Sequence, residues 1–373
     1  MQELKDLDQA KAVAGSDGAA IFSQMTEMEH EQVVFCYDEP TGLKAIIGVH
    51  NTVLGPALGG TRMWNYANDS EALTDVLRLS RGMTFKNALA GLNIGGGKAV
   101  IIGDPKKLKN EAFLRRFGRF VESLNGKYVT AEDVSMNTSD MVHIGVETKH
   151  VTGLPEYMGG MGDPSPVTAY GTYAGMKAAA KRVYGKDELE GKKVLVQGVG
   201  NVGEYLVNHL TKENAKVYIS DINQDRLDHV NKQYGAEIVD PKDVYSFDMD
   251  IYAPCALGAT LNDDTIPQLK CQIVAGAANN QLKDEKKHGA ELIDRGIVYA
   301  PDFLINAGGV INVYMEYAKM GTSKMAYEQS DKIYDTLLEA LDRAEKEKIT
   351  PQEAAMKMAL DRIEKIGKVK LSY

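Results

Sequence analysis

The sequence predicts an α/β protein of two domains, the second organised on a doubly wound parallel sheet. Three observations carry that expectation. A chain of 373 residues is too long for one ordinary core and long enough for two without disulfides. From about residue 193 onward strand-like and helix-like runs alternate regularly, as parallel strands joined by crossover helices require. One G-x-G-x-x-G pattern stands directly behind the first of those strands.

Composition narrows the class. A formal charge of -9 and a pI near 5.4 supply no basic face for nucleic acid or an anionic membrane. Cys36, Cys255 and Cys271 are odd in number and lack C-x-x-C spacing, so neither a disulfide framework nor a zinc site is expected, and no metal is assigned. The N-terminus has no apolar signal core, and no window approaches the roughly 18 apolar residues of a membrane span. A soluble, cytoplasmic protein is expected.

Residues 1 to about 28 read as a frayed or weakly helical lead-in without an assigned role. Gln32–Tyr37 and Leu43–Val49 are β-rich runs around the turn composition Asp38-Glu39-Pro40-Thr41-Gly42, and are expected to pair. Leu54–Trp64, with its paired glycines, reads as a loop that approaches a neighbour closely. Asp69 or Ser70 is expected to cap a helix with Leu73, Val76, Leu77, Ser80 and Met83 on one face, and that helix delivers Lys86. Asn110–Leu124 reads as a helix with its phenylalanines inward, followed by the strand Tyr128-Val129-Thr130 and the acids Glu132 and Asp133.

Gly95-Gly96-Gly97-Lys98 invites comparison with a phosphate loop. The spacing G-x-x-x-x-G-K-[ST] needs glycine at 92 and a hydroxyl at 99, where the chain has Leu92 and Ala99, so that reading fails. Asp163-Pro164-Ser165-Pro166 breaks the chain, and the domain junction is placed near 150 to 165, with domains assigned over 1–150 and 151–330 and a helical tail over 331–373. In the second domain Gly198-Val199-Gly200-Asn201-Val202-Gly203 follows the strand Val194–Gln197, and Asp221 closes the next strand. Gly198 is expected to make the turn, Gly200 to admit a pyrophosphate, and Gly203 to allow close helix packing. Asp221 would bind ribose hydroxyls and repel a 2′-phosphate, which favours NAD over NADP; Arg226 nearby is the one residue that weakens that preference.

Six segments in order, Gly55–Arg62, Gly82–Asn87, Gly95–Lys98, Ala131–Asp133, Gly198–Val202 and Asn306–Val310, resemble those of the glutamate/leucine/phenylalanine/valine dehydrogenases over about residues 30 to 360. Among them the chain looks most similar to the leucine-type members. The resemblance implies reversible oxidative deamination of an L-amino acid with NAD, giving a 2-oxo acid and ammonium. It implies an N-terminal substrate and oligomerisation domain, a Rossmann-type NAD domain, C-terminal helices that return to the first domain, and a homo-oligomer, in the leucine-type case an octamer. By resemblance Lys86 holds the substrate carboxylate, a task suited to a point charge. Lys98, beside glycines and another cation, is the general base that activates water, and Asp133 relays protons. Glycines 95–97 are expected to leave room around that base. Ser165, Thr168, Asn279 and Asn280 resemble residues that contact the nicotinamide half or the substrate, and Leu58, Gly59, Ala131, Val310 and Val313 correspond to the substrate pocket.

Leu58, Ala131, Val310 and Val313 are apolar, so a side-chain carboxylate would lack a partner and glutamate is disfavoured. Leucine, isoleucine and valine differ too little for a pocket to separate them by more than about 1–3 kcal/mol. The alternatives are a phenylalanine or valine enzyme of the family, or an NAD-sensing protein. A hydroxy-acid enzyme would want a histidine base, and none of the 7 histidines lies in these glycine segments.

Overall fold

The computed structural model describes residues 21–370; most of the lead-in expected over 1–28 lies outside them. By its contacts the chain divides into two compact units, Met1–Thr84 with Ile94–Leu154, and Phe85–Asn93 with Pro155–Tyr373. The segment Phe85–Asn93, which carries Lys86, therefore groups with the second unit.

The first unit contains helix α1 (Ile21–Glu27), strands β1 (Gln32–Asp38), β2 (Leu43–Asn51) and β3 (Ala57–Trp64), most of helix α2 (Asp69–Leu89), strand β4 (Gly95–Ile102), helices α3 (Pro105–Leu108) and α4 (Glu111–Ser123), strand β5 (Tyr128–Glu132) and helix α5 (Thr138–Gly145). The strands form one sheet in the order β1-β2-β4-β3-β5, with β1 and β2 antiparallel as the turn composition predicts. Alternation along a strand sends successive side chains to opposite faces. One face carries Ala45, Ile47, Ala57, Met63, Ala99 and Ile101 against Phe113 and Phe117 of α4; the other carries Ile46 and Val100 against Leu73, Val76 and Leu77 of α2.

Two local expectations are corrected. Leu54–Trp64 is largely strand β3, because its glycines serve sheet pairing: a Cβ on Gly59 would lie 1.7 Å from Gly97 O. The cap of α2 is Asn68, whose Oδ1 accepts the Glu71 amide at 2.9 Å, while Glu71 Oε2 accepts the Ala67 amide at 2.7 Å. Asp69 and Ser70 begin the helix.

The second unit begins with helix α6 (Ser165–Tyr184) and continues through β6 (Lys193–Gln197), α7 (Asn201–Lys212), β7 (Lys216–Ser220), α8 (Gln224–Tyr234), β8 (Glu237–Ile238), β9 (Ile251–Pro254), β10 (Ile273–Val274), α9 (Glu285–Asp294) and β11 (Val298–Tyr299). Its strands pair in parallel in the order β11-β10-β9-β6-β7-β8. The order reverses beside β6, the place where open parallel sheets bind ligands. Helices α10 (Asp302–Ile305), α11 (Gly308–Tyr317), α12 (Ser323–Glu347) and α13 (Pro351–Lys370) follow. Helix α6 is rich in small residues because others press on it: a Cβ on Gly175 would lie 2.3 Å from Ile305 Cγ2, and one on Gly171 2.7 Å from Ile333 Cδ1 of α12. The C-terminal helices also hold Phe85–Asn93. Gln329 Nε2 donates to Ala90 O at 2.7 Å, and Arg362 Nη1 donates to Leu92 O at 2.7 Å.

Candidate active site

Register assembles the first cluster. Gly60 pairs with Ala131 across β3 and β5, and Thr61 pairs with Ala99 across β3 and β4. Strand alternation therefore places Leu58, Gly60, Arg62, Lys98, Ala131 and the following Asp133 on one face, the face that carries Val100 toward α2. Lys98 is buried, and its Nζ lies 3.0 Å from Asp133 Oδ2. The same oxygen accepts from Arg62 Nε at 3.0 Å. Arg62 Nη1 reaches Asp75 Oδ2 at 3.1 Å, and Tyr66 OH donates to that oxygen at 2.6 Å. The result is a continuous chain: Lys98, Asp133, Arg62, Asp75, Tyr66.

Burial alone would push the Asp133 carboxyl upward, but the charges of Lys98 and Arg62 outweigh it and hold the group down at about 2. Asp133 is an anion at any working pH. The glycines here do not leave space for substrate. A Cβ on Gly95 would lie 2.1 Å from Asn51 O, one on Gly96 2.0 Å from Thr84 Oγ1, and one on Gly97 2.9 Å from the Tyr128 ring. Their function is to let β4 pack against its neighbours. Leu58 and Ala131 are buried on the lysine face. Gly59 falls on the opposite face, and its carbonyl accepts from Tyr128 OH at 2.6 Å.

The second unit holds the rest. Gly198 has φ +100, and a Cβ there would strike Ala256 N at 2.7 Å; a Cβ on Gly203 would lie 2.0 Å from Gly198 O. Around Gly200 there is open space, with nothing within 4 Å of a Cβ. Gly200 is the N-cap of α7 and supplies no side-chain cap, so the first amides of the helix, among them Asn201, Val202 and Gly203, are available to an anion. Asp221 fastens the turn, accepting the Val199 amide at 2.8 Å and the Asn223 amide at 2.9 Å. Arg226 is engaged: its guanidinium donates to Val199 O at 2.8 Å and to Glu204 Oε2 at 2.8 Å. An uncapped helix end, an open glycine position and an acid at the tip of β7 fit a dinucleotide.

Lys86, Asn279 and Asn306 form a third group. Asn279 Oδ1 accepts from Lys86 Nζ at 3.1 Å and from Asn306 Nδ2 at 2.8 Å. Asn306 Nδ2 also donates to Ala277 O at 3.0 Å, and Asn306 Oδ1 is buried without a partner among the described residues, an acceptor that a ligand N–H would satisfy. Asn280 adopts φ +52 and is exposed. At the start of α6, Ser165 N is held by Asp163 Oδ1 at 2.9 Å, and Thr168 Oγ1 lies 2.7 Å from where Gly309 would carry a Cβ. Val310 and Val313, three residues apart on α11, share a face. Sequence reasoning named neither Arg62, Asp75 and Tyr66 nor Asn306 as site residues. Reading 57–64 as a strand would have found Arg62, two residues beyond Gly60 on the lysine face.

Comparison with known proteins identifies the family. Residues 30–150 match the family model for the Glu/Leu/Phe/Val dehydrogenase dimerisation domain, and residues 159–223 and 219–370 match that for glutamate/leucine/phenylalanine/valine dehydrogenase. The chain belongs to this family. Among its Glu/Leu/Phe/Val dehydrogenase relatives, leucine dehydrogenase of Bacillus subtilis is 53% identical over 95% of this chain and 96% of its own length. Leucine dehydrogenase of Thermoactinomyces intermedius is 54% identical with the same coverage. The solved structure of L-tryptophan dehydrogenase from Nostoc punctiforme superposes with a TM-score of 0.83 at 45% identity, covering 93% of this chain and 99% of that one. As a member of the family the chain is an amino acid dehydrogenase that uses a nicotinamide dinucleotide, and residues 30–150 carry the family's dimerisation domain. Among the described residues no helix is long and apolar enough to cross a membrane.

Proposed function

We propose that this chain catalyses the reversible oxidative deamination of L-leucine, and of isoleucine and valine, with NAD in the cytoplasm. An L-amino acid, NAD and water give the 2-oxo acid, ammonium, NADH and a proton. The observation that carries this reading is the Lys98–Asp133 pair on a sheet face whose neighbours Leu58 and Ala131 are apolar and buried. The identity to leucine dehydrogenases supports the substrate.

Lys86 holds the substrate carboxylate. Lys98, once neutral, takes a proton from the water that attacks the imino carbon, and Asp133 carries protons to and from the nitrogen. Leu58, Ala131, Val310 and Val313 contact the aliphatic side chain, and a carboxylate there would stay unpaired. Val199, Gly200, Asn201, Val202 and Gly203 would hold the dinucleotide pyrophosphate, Asp221 the ribose hydroxyls, and Ser165, Thr168, Asn279 and Asn280 the nicotinamide half or the substrate. When bound, NAD supplies the hydride acceptor. NAD is preferred to NADP because Asp221 is an acid and Arg226 is occupied by Glu204. The active species is a homo-octamer.

The test is NADH formation at alkaline pH with leucine, valine, phenylalanine, tryptophan and glutamate. Leucine is expected to be the best substrate. Faster turnover of an aromatic acid would move the chain to another branch of the family, and glutamate as best substrate would overturn the pocket reading. Lys98→Ala is expected to lose turnover by about 10²-fold or more while still binding NADH; near-normal activity would remove Lys98 from its role.

A further inference from the structure

The Asp133 carboxylate has two cationic partners on one oxygen, Lys98 Nζ at 3.0 Å and Arg62 Nε at 3.0 Å. A base that must lose a proton is poorly served by a carboxylate facing it alone, since an anion at hydrogen-bond distance favours the charged ammonium. Arg62 relieves that difficulty and is itself balanced, because its other arm reaches Asp75 at 3.1 Å and Tyr66 OH braces the same Asp75 oxygen. Arg62 and Asp75 are partly buried, where charges interact more strongly than in bulk water.

We propose that Arg62 is a positioning residue of the reaction: it shares the Asp133 carboxylate with Lys98, so that Lys98 stays oriented by Asp133 yet is free to give up its proton. The inference rests on Lys98 being the base, as proposed above. Asp75 sets how much of the Arg62 charge is left for Asp133, and Tyr66 holds Asp75 in place. The positive charge beside Asp133 is what the device needs; a planar guanidinium adds that it bridges two carboxylates in different directions, whereas a lysine would supply the charge without the bridge. Gly60 belongs to the same device, since a Cβ there would lie 3.0 Å from Asp133 Cβ and 2.3 Å from Glu132 O.

The charged and titratable groups around Asp133 act with known signs. Lys98 from β4 and Arg62 from β3 favour its anionic form. Asp75 from α2 draws Arg62 away from it. Two neutral phenols lie nearby: burial pushes both Tyr66 and the buried Tyr128 of β5 up, with Asp75 the next cause for Tyr66 and Asp133 a smaller one for each; neither titrates in the working range. The remaining nearby acid, Glu132, accepts from Thr138 Oγ1 at 2.5 Å. On this proposal the pH dependence of kcat/KM is the property that Arg62 tunes.

The decisive experiment is that pH profile for leucine oxidation by the wild type, Arg62→Gln, Arg62→Lys and Asp75→Asn, with thermal melting and NADH binding measured on each. Arg62→Gln removes a positive charge, so the ascending limb is expected to move up by about one pH unit or more, with kcat reduced and NADH binding kept. Arg62→Lys is expected to keep the limb within a few tenths of a unit. Asp75→Asn frees Arg62 for Asp133, so its limb is expected to move down. Equal losses of rate in all three with an unmoved limb would overturn the proposal and leave Arg62 as a structural residue. If Arg62→Gln does not fold, the direction of the Asp75→Asn shift decides alone. A wild type with no turnover on any amino acid would instead overturn the dehydrogenase reading, a result distinct from either.

Discussion

At the scale of single residues, glycine divides into two kinds that look identical in sequence. Gly203 is there for packing, since a Cβ would lie 2.0 Å from Gly198 O, whereas nothing lies within 4 Å of a Cβ on Gly200. Gly200 also has φ -65, which any residue adopts. Gly200→Ala is therefore expected to fold with an unchanged melting temperature and to bind NADH at least tenfold more weakly. Gly203→Ala is expected to lower the melting temperature by several degrees, because backbone cannot yield to the new methyl. Fluorescence titration and melting of the two variants check this; equal behaviour would mean that Gly200 is not the pyrophosphate contact. Legibility follows the same line. The G-x-G-x-x-G spacing and Asp221 are legible because they lie within one local strand–turn–helix–strand stretch. Gly95, Gly96 and Gly97 were misread as room for a ligand, because the atoms they avoid, Asn51 O, Thr84 and Tyr128, are distant in sequence.

At the scale of elements, α1, β2 and α2 are joined by two buried imidazoles. His30 Nε2 lies 2.7 Å from Ser80 Oγ, His50 Nδ1 lies 2.8 Å from Thr84 Oγ1, and the His50 Nε2–H group donates to Met28 O at 2.9 Å. The rings meet edge to face at 4.7 Å. Burial lowers both from 6.5 to about 4; His50 is a further unfavourable neighbour for His30, and Met28 O only partly offsets the effect for His50. The neutral rings stabilise the fold fully above about pH 6.5. As pH falls toward 4 the unfolded chain takes up protons that the folded one refuses, costing up to about 3 kcal/mol per ring. The urea midpoint is expected to drop steeply between pH 6.5 and 4, and the double variant His30→Gln, His50→Gln to show a much flatter profile there. Identical slopes would remove the histidines as the acid-sensitive joint. Nothing in the sequence marked these histidines, since 20 residues separate them and their hydroxyl partners, Ser80 and Thr84, stand on a later helix.

At the scale of the whole molecule, the chain is a dehydrogenase of two compact units, with the family's dimerisation domain matched over residues 30–150. Sedimentation equilibrium is expected to return eight chains per particle; a monomer active at assay concentration would separate catalysis from assembly. Contacts divide the chain at Leu154 and Pro155. The segment Phe85–Asn93 departs from that linear reading. Gln329 and Arg362, more than two hundred residues downstream, bind its carbonyls, so its allegiance is set by contacts that no local pattern announces.

The sequence by itself determined the parallel nucleotide-binding sheet, the glycine turn with its acid, and the two lysines and aspartate that resemblance assigns to the chemistry. Each of these is written in adjacent residues, as a strand followed by a turn or as a motif of fixed spacing. Tertiary structure alone decided what surrounds them. It set Arg62 and Lys98 on one oxygen of Asp133, placed Asp75 and Tyr66 behind Arg62, and gave the triple glycine to sheet packing. Those outcomes depend on strand register and helix docking, and a register is fixed only when distant strands pair.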